Sequence, residues 1–232
     1  MIKITLQGKD EKTYQEGVIA LDIAKDISEG FARSLVGAKI NGKVCDLMTP
    51  ITEDCDIEFL KFADKDGKMV FWHTSTHIMA QAVKRLYPNA KLGTGPALDN
   101  GFYYDIDLDE KLTQDDLEKI EAEMKKIVSE SLDIIRKEVS KQEAVDIMKK
   151  RGEDYKLEII ESLDENAVIS LYEQGEFVDL CAGPHLPNTK FVKAVKLTSI
   201  AGAYWRADAN NKQLQRLYGI SFEKKKELDD YL

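Results

Sequence analysis

The chain has 232 residues, of which 43% are hydrophobic and 32% are charged, and its formal net charge is −9. This length suits one large domain or two of ordinary size. The acidic balance excludes a strongly basic surface for nucleic acid over the whole protein, although a local basic groove stays compatible with it. No apolar run approaches the roughly 20 residues that span a bilayer, and the first ten residues lack the apolar core of a signal peptide.

Cysteine usage indicates a reducing compartment. Cys45, Cys55 and Cys181 are scattered and make no disulfide framework, so we expect a cytoplasmic protein. Cys45 and Cys55 have no histidine near them in the sequence, and we interpret both as small buried hydrophobic residues.

Residues 1–61 predict a small independent unit. The alternation of Ile2, Ile4 and Leu6 indicates a strand, and a second short strand is expected over 12–15. Asn41-Gly42 favours a type I′ turn between two further strands, and a last strand is expected near residues 57–60. An amphipathic helix is predicted before the hairpin, with its apolar residues at Leu21, Ala24, Ile27 and Phe31. Strands, one helix and more strands within this length predict a ubiquitin-like β-grasp.

The polar segment 61–68 carries a turn signal, and we place the domain boundary there. A helix is predicted from about His73 to Leu86, ended by Pro88. On a helical wheel its aliphatic residues share one broad face, whereas His73 and His77 point roughly opposite to that face. A role in core packing would have placed the histidines among the aliphatic residues.

The remainder predicts long helices and an antiparallel sheet, so the fold class is α+β. A strand is expected at 100–105, and Thr113 with Asp116 resembles a capping box that opens a long helix. Ser140 with Glu143 is a second capping box, and Gly152 is a candidate C-cap. From Tyr155 we expect short strands, including 176–181, 196–198, 204–206 and 213–222, before a helical tail. The apolar stripe of the long helix is expected at Leu117, Ile120, Met124, Ile127, Ser131 and Ile134.

All three histidines fall into two short stretches that are about a hundred residues apart. His73 and His77 are spaced i, i+4, which places both on one side of a helix. Cys181 and His185 follow in a Cys-x-x-x-His segment. Three histidines and one cysteine, grouped in these two pairs, suit a tetrahedral Zn²⁺ site.

Four motifs occur in order: HTSTH, GPALDNGFYYD, DLCAGPH and TSIAGAYWRADANNKQLQRLYG. Together they make the chain resemble the N-terminal part of bacterial threonyl-tRNA synthetase over essentially its whole length. The resemblance implies a TGS domain at 1–61, an editing domain at 62–222 and the start of a linker helix at 223–232. HxxxH followed by CxxxH is also similar to the editing domain of alanyl-tRNA synthetase.

The resemblance implies an editing hydrolase. It would cleave the ester of mischarged seryl-tRNA(Thr) and spare threonyl-tRNA(Thr). The class II catalytic core, which uses ATP, Mg²⁺ and Zn²⁺, would begin after residue 232, so this chain would not charge tRNA. We expect a piece of a longer enzyme that dimerises through that core, with the present chain a monomer, no membrane partner, and the acceptor end of tRNA(Thr) as its ligand.

The resemblance also implies roles for particular residues. His73, Lys156 and Asp179 would orient water and the ribose hydroxyls, and Lys156 would also stabilise charge on the leaving oxygen. His77, Cys181 and His185 would complete the pocket. Ala182 stands where the family often has arginine, which removes one positive contact to RNA. The substrate-binding wall would include Tyr104, Gly95, Pro96 and Asp99.

Two alternatives stay open. The chain could be a non-catalytic tRNA-binding appendage, against which the net charge and the clustered histidines count. It could also be a zinc-dependent hydrolase of a small molecule, with zinc on His73, His77, Cys181 and His185. We favour an editing site that requires no metal, as the resemblance to threonyl-type domains implies, whereas alanyl-type domains bind one.

Overall fold

The computed structural model describes all 232 residues, and the protein is α+β, as predicted. Contacts divide the chain into two compact units, 1–71 with 183–187 and 72–182 with 188–232. No helix is both long enough and apolar enough to cross a membrane. The predicted domain boundary at 61–68 stays a prediction.

The first unit is built on a mixed five-stranded sheet in the order β2-β1-β7-β4-β5. Only β1 and β7 pair in parallel, and the other neighbours are antiparallel, as expected for a β-grasp. Its elements are β1 (Ile2–Leu6), β2 (Asp10–Tyr14), β3 (Val18–Ile19), α1 (Ala20–Ile27), α2 (Glu29–Arg33), β4 (Leu35–Ile40), β5 (Lys43–Cys45), β6 (Pro50–Ile51) and β7 (Cys55–Lys61).

The single helix predicted in this unit is two helices. The Ser28 hydroxyl accepts the N–H of Phe31 and so caps α2, which breaks the predicted stripe. Ile27 is exposed as a result, and Ile23 and Ala24 of α1 fill the core instead. Cys55 is buried as expected, whereas Cys45 is only half-buried.

The helix that carries the paired histidines, α3 (Lys65–Leu86), begins at Lys65 rather than at His73. The Asp64 carbonyl accepts the N–H of Lys68, and the Asp64 carboxylate accepts the N–H of Lys61. The polar stretch therefore contains the predicted turn, closed by the Asp64 N–H on the Lys61 carbonyl, and then the first turn of the helix. Gly67 permits this start because a Cβ there would lie 1.9 Å from the Lys61 carbonyl oxygen.

The second unit contains a sheet in the order β14-β15-β10-β8, with β9 also on β10, and a smaller sheet in the order β11-β12-β13. All pairings in both sheets are antiparallel. The elements after α3 are β8 (Lys91–Leu92), β9 (Ala97–Leu98), β10 (Gly101–Asp107), α4 (Gln114–Glu130), β11 (Ile135–Val139), α5 (Lys141–Lys150), α6 (Asp154–Glu161), β12 (Ile169–Gln174), β13 (Phe177–Leu180), β14 (Ala194–Tyr204), β15 (Gln213–Phe222) and α7 (Lys225–Tyr231).

Both predicted capping boxes of this unit are confirmed, at Thr113 with Asp116 and at Ser140 with Glu143. Gly152 has a positive φ of 70° immediately after the C-cap of α5, as a helix end favours. The apolar stripe of α4 is shorter than predicted. Ser131 is the left-handed C-cap, so it and Ile134 lie beyond the helix.

Two expectations about strands are wrong. The segment from Tyr155 begins inside α6, a helix that the sequence reading missed, because Leu157 and Ile160 face the core formed with α5 and β12. A separate strand at 204–206 is absent, since β14 runs unbroken to Tyr204 and ends in a 3₁₀ turn at Trp205–Ala207.

We predict that Gly67→Ala destabilises the first unit by about 1–3 kcal/mol, because the added methyl group meets backbone that cannot move away. Gly30→Ala in α2 is the matched control, since a Cβ there meets nothing within 4 Å. The control should be neutral or more stable by up to about 1 kcal/mol. Urea unfolding of both variants measures the difference, and equal midpoints would contradict the assignment of the helix start.

Candidate functional site

Four elements of the second unit bring chemical groups to one place. The helix α3 supplies His73 and His77, α6 supplies Lys156, and β10 supplies Tyr104. The strand β13 supplies Asp179, whose side chain points away from Val178 because successive strand residues face opposite sides. Val178 packs into the core formed with α5 and α6. Asp179 therefore faces the polar groups.

The Asp179 carboxylate is the centre of the site. Its Oδ1 lies 3.0 Å from Nζ of Lys156, and its Oδ2 accepts the Tyr104 hydroxyl at 2.8 Å. Nε2 of His77 lies 3.3 Å from the same Oδ2. All four side chains are buried, and Asp179 is only 1% exposed. Lys156 and Asp179 thus form a hydrogen-bonded charge pair that is shielded from water. Electrostatic interactions are strong in such surroundings.

The carboxylate stays ionised in this setting. Burial raises the pKa of Asp179, but the Lys156 ammonium, His77 and the Tyr104 hydroxyl outweigh burial, so the pKa is lowered overall. The pKa of Tyr104 is shifted in the opposite direction. Burial and the nearby Asp179 charge raise the Tyr104 pKa well above its usual value, so its hydroxyl remains a donor.

His77 is a neutral imidazole at physiological pH. Burial lowers its pKa from 6.5 to about 3, and the attraction of Asp179 only partly opposes this effect. A neutral ring with its proton on Nε2 donates to Asp179, which fits the observed separation. The imidazole therefore orients the carboxylate without adding charge to the pair.

His73 and Cys181 form the more accessible edge of the site. The Sγ atom of Cys181 lies 3.2 Å from Nε2 of His73, and both residues are half-buried. The rings of His73 and His77 are 5.5 Å apart between centroids, so the accessible edge adjoins the buried group. The arrangement combines an imidazole that solvent can reach with a fixed ammonium, which suits it to activate water and to stabilise negative charge.

The chain matches two domain families. Residues 2–61 match the TGS domain, and residues 169–218 match the family described as threonyl and alanyl tRNA synthetase second additional domain. The chain is 59% identical over 232 residues to threonine–tRNA ligase of Clostridioides difficile strain 630 and 56% identical over 232 residues to that of Finegoldia magna. The chain corresponds to the N-terminal region of threonine–tRNA ligases, with their TGS and second additional domains. The resemblance predicted from the four motifs is confirmed.

The alignments cover all of this chain but only part of each relative. Both alignments cover 100% of this chain, but only 36% of the Clostridioides difficile protein and 37% of the Finegoldia magna protein. The chain therefore spans about a third of the length of the curated relatives that it matches. It carries the TGS domain and the second additional domain of the threonine–tRNA ligase family.

His185 is placed differently from the other predicted ligands. It lies in the segment 183–187, whose contacts assign it to the first unit, and its backbone N–H donates to the Asp46 carboxylate. His185 is buried, and so is Asp46. Participation of His185 in the site stays a prediction.

The predicted substrate wall is only partly tied to the site. Gly95 packs on the ring of Tyr104, where an added Cβ would lie 2.2 Å from Cδ2. The Pro96 carbonyl accepts the N–H of Tyr103, which fixes the loop before β10. Pro96 and Asp99 themselves are exposed, and their contact with a substrate stays a prediction.

The donor set is compatible with zinc. The ligating atoms of His73, His77 and Cys181 lie within 4.8 Å of one another, and two imidazoles with a thiolate are ordinary zinc ligands. The same atoms also interact directly, as Cys181 does with His73 and His77 with Asp179. Residues of the types that bind zinc are thus present, and they also form a connected network by themselves.

One residue that supports the site was not predicted from the sequence. Glu153 is buried at the start of α6, where its Oε2 accepts the N–H of Leu92 at 2.9 Å and its Oε1 lies 3.0 Å from Nζ of Lys84. It ties the helix that carries Lys156 to β8 and α3. No local pattern could have revealed it, because Glu153 does not cap α6 and its partners Leu92 and Lys84 are distant in the sequence.

We predict that Asp179→Asn lowers the free energy of unfolding by about 3–5 kcal/mol, because it leaves the Lys156 ammonium buried without its counter-ion. Asp154→Asn removes the same group from an exposed pair with Lys91 and should cost at most about 1 kcal/mol. Urea unfolding near neutral pH compares them. Similar losses in the two variants would contradict a dominant buried pair.

Acid sensitivity provides a second test. The unfolded chain protonates His77 below pH 6.5, whereas the folded protein does so only near pH 3. The free energy of unfolding that His77 contributes is therefore fully present above pH 6.5 and decreases as the pH falls. This contribution should reach about 2–4 kcal/mol by pH 4. His77→Gln should show a correspondingly smaller decrease between pH 7 and pH 4 in urea unfolding. His73 and His185 are present in both proteins, so an unchanged decrease would contradict the assignment to His77.

Proposed function

We propose that the chain is the editing region of a threonine–tRNA ligase and hydrolyses seryl-tRNA(Thr) formed in error. The observation that carries the proposal is the buried Lys156–Asp179 pair beside the half-buried His73 and Cys181, in a chain of this family. Hydrolysis of an aminoacyl ester needs a positioned water, a group that takes its proton, and a group that stabilises negative charge. The site supplies candidates for each role.

The roles follow from burial and charge. His73 lies at the accessible edge, where it positions the attacking water and takes its proton. The Lys156 ammonium stabilises the charge that develops on the ribose oxygen as the ester bond breaks. Asp179 binds the seryl ammonium and keeps Lys156 in place, while His77 and Tyr104 fix the carboxylate. Cys181 and His185 complete the wall.

Selectivity for serine rests on size. Rejecting serine in a synthetic site by the loss of one methyl group is worth only about 1–3 kcal/mol, which is too little for accurate translation. A second site that accepts serine excludes threonine sterically, because inserting a methyl group into a rigid, packed wall is costly. The close packing of Gly95 on Tyr104 supports a wall of this kind.

Organisation and partners are part of the same proposal. Residues 1–61 are the TGS domain, 62–222 the editing domain and 223–232 the start of a linker helix. The ligand is the acceptor end of tRNA(Thr) carrying serine, and the location is the cytoplasm. The editing step requires no metal. A complete ligase adds a class II core with ATP, Mg²⁺ and Zn²⁺ and dimerises through it, whereas this chain is a monomer.

A zinc-dependent hydrolase is the second candidate, and the grouping of His73, His77 and Cys181 favours it. These residues would hold the ion, and a bound zinc ion supplies an activated water near neutral pH. Stoichiometric zinc in protein that was stripped and reconstituted, with hydrolysis abolished by chelators, would establish this reading and overturn the metal-independent one.

The proposal is tested by presenting seryl-tRNA(Thr) and threonyl-tRNA(Thr) to the purified chain in parallel. We expect the seryl ester to be hydrolysed and the threonyl ester to be spared. His73→Ala should reduce the rate by about 10²–10⁴-fold, as for the loss of a general base. Gln142→Ala, on the exposed side of α5, is the control and should keep the full rate.

Three outcomes would contradict the proposal. Tight tRNA binding without hydrolysis of either ester would favour the tRNA-binding appendage. Equal hydrolysis of both esters would remove the steric argument. An unchanged rate in His73→Ala would remove the assigned role of His73.

A further inference from the structure

The longest of the four sequence motifs contributes no side chain to the site described above. Its residues form β14, the turn after it, and β15, which together make a long two-stranded ribbon. The end of this ribbon is the turn Trp205–Ala207. Trp205 is buried, although its neighbours Tyr204 and Arg206 are exposed. A buried tryptophan at a hairpin tip indicates that the tip packs against another element.

The element that it contacts is α6. The indole Nε1–H of Trp205 donates to Oε2 of Glu158 at 3.1 Å, and Nη1 of Arg206 lies 3.2 Å from Oε1 of the same carboxylate. The Trp205 ring meets the ring of Tyr155 edge-on, with 4.8 Å between centroids. The Tyr155 hydroxyl in turn donates to Asp107 of β10 at 2.6 Å. One face of α6 is thus held by both strands that flank β15.

The opposite face of α6 carries Lys156. At about 100° per residue, Tyr155 and Glu158 project from one side of the helix, whereas Lys156 and Ile160 project from the other. Lys156 and Ile160 are both buried. Movement of the outer face therefore displaces the ammonium that pairs with Asp179.

This helix needs external support. It has only eight residues, and no side chain caps its N-terminus. Helices this short are marginal without tertiary contacts. Its first turn also contains the Lys156 ammonium, and a positive charge near a helix N-terminus opposes the helix dipole. Glu153 secures the start of α6 from within, which leaves the outer face to the ribbon tip.

The tip itself is held in an uncommon conformation. Arg206 and Ala207 both have φ of 55°, a left-handed backbone that residues other than glycine seldom adopt. The Trp205 carbonyl accepts the Asn211 amide, and the Trp205 N–H donates to the Lys212 carbonyl. Such backbone persists where the surroundings fix it. The turn is therefore a defined support.

We propose that Trp205, acting through Glu158 and Tyr155, is a positioning residue that holds Lys156 in register with Asp179. This inference rests on the proposed editing function for its kinetic consequence, whereas its structural consequence can be measured without any reaction. The ribbon motif would thus have a role in the reaction without contacting the substrate.

The structural test is the reactivity of the Lys156 amine toward reductive methylation of the whole chain, read by proteolysis and mass spectrometry of the peptide that contains Lys156. Trp205→Phe keeps an aromatic ring against Tyr155 but removes the donor to Glu158, and Glu158→Ala removes the acceptor. We expect methylation of Lys156 to become at least about tenfold faster in both variants. Glu138→Ala breaks a comparable exposed pair, with Arg136 on β11, and should leave it unchanged.

Methylation of Lys196, which is ion-paired with Glu121 elsewhere in the second unit, serves as the internal reference. Equal acceleration at Lys196 and Lys156 would show general loosening and overturn the proposal. Unchanged reactivity of Lys156 in both α6 variants would overturn it as well. Either result can be obtained even if no seryl-tRNA is hydrolysed, so failure of the editing function and failure of this inference are distinguishable.

The kinetic test is a double-mutant cycle on deacylation of seryl-tRNA(Thr). Trp205→Phe should lower kcat by about tenfold with little change in KM, because displaced catalytic groups lose rate rather than binding. In a Lys156→Met background the same substitution should have almost no further effect. Glu158→Gln, which keeps an acceptor for the indole, should retain most of the rate. Full additivity of Trp205→Phe with Lys156→Met would contradict action through Lys156.

Discussion

The buried charge of Asp179 is the constraint on which the second unit depends. Removing a carboxylate from water costs several kcal/mol unless a counter-ion and hydrogen bonds replace the solvent. Lys156, Tyr104 and His77 provide that replacement, and each comes from a different element. The strand that carries Asp179 is thus fixed to α6, β10 and α3 at one point. A shift of any of these elements would expose an uncompensated charge.

The same constraint divides the site into an interior and an edge. The interior holds a fixed carboxylate and ammonium, and the low His77 pKa keeps an additional positive charge out of it. The edge holds His73 and Cys181, which are only half-buried. A substrate that approaches the edge meets an imidazole able to exchange protons, with a rigid charge pair behind it. This division supports the proposed hydrolysis of an ester.

Sequence patterns predicted the parts of the fold that short-range rules determine. The capping boxes at Thr113 and Ser140 and the Asn41-Gly42 hairpin depend on neighbouring residues only, and all three are observed. The helix α6 was not predicted because its stability comes from long-range contacts, namely the packing of Leu157 and Ile160 and the contact with the ribbon tip. The helix start at Lys65 escaped because Gly67 in a polar stretch indicates a turn unless its contact with Lys61 is known.

The site was predicted unevenly for the same reason. The spacing of His73 and His77 indicated their shared side of α3, but no local pattern identified Lys156, which by itself is most simply a solvated lysine. Only the resemblance to the synthetase family singled it out, and its burial beside Asp179 follows from the tertiary fold. Glu153 was missed altogether because its partners, Leu92 and Lys84, are distant in the sequence.

The most direct measurement is the ¹⁵N spectrum of the His77 imidazole during titration with 3′-seryl-amido-3′-deoxyadenosine, an uncleavable mimic of the aminoacylated tRNA end. The account predicts saturable shifts of the His77 signals, because the seryl ammonium binds to the carboxylate that His77 touches. The threonyl analogue should produce the same shifts only at concentrations at least about tenfold higher, as the exclusion of one methyl group requires. Signals that do not move with the seryl analogue, or that move equally with both analogues, would contradict a serine-selective site centred on Asp179.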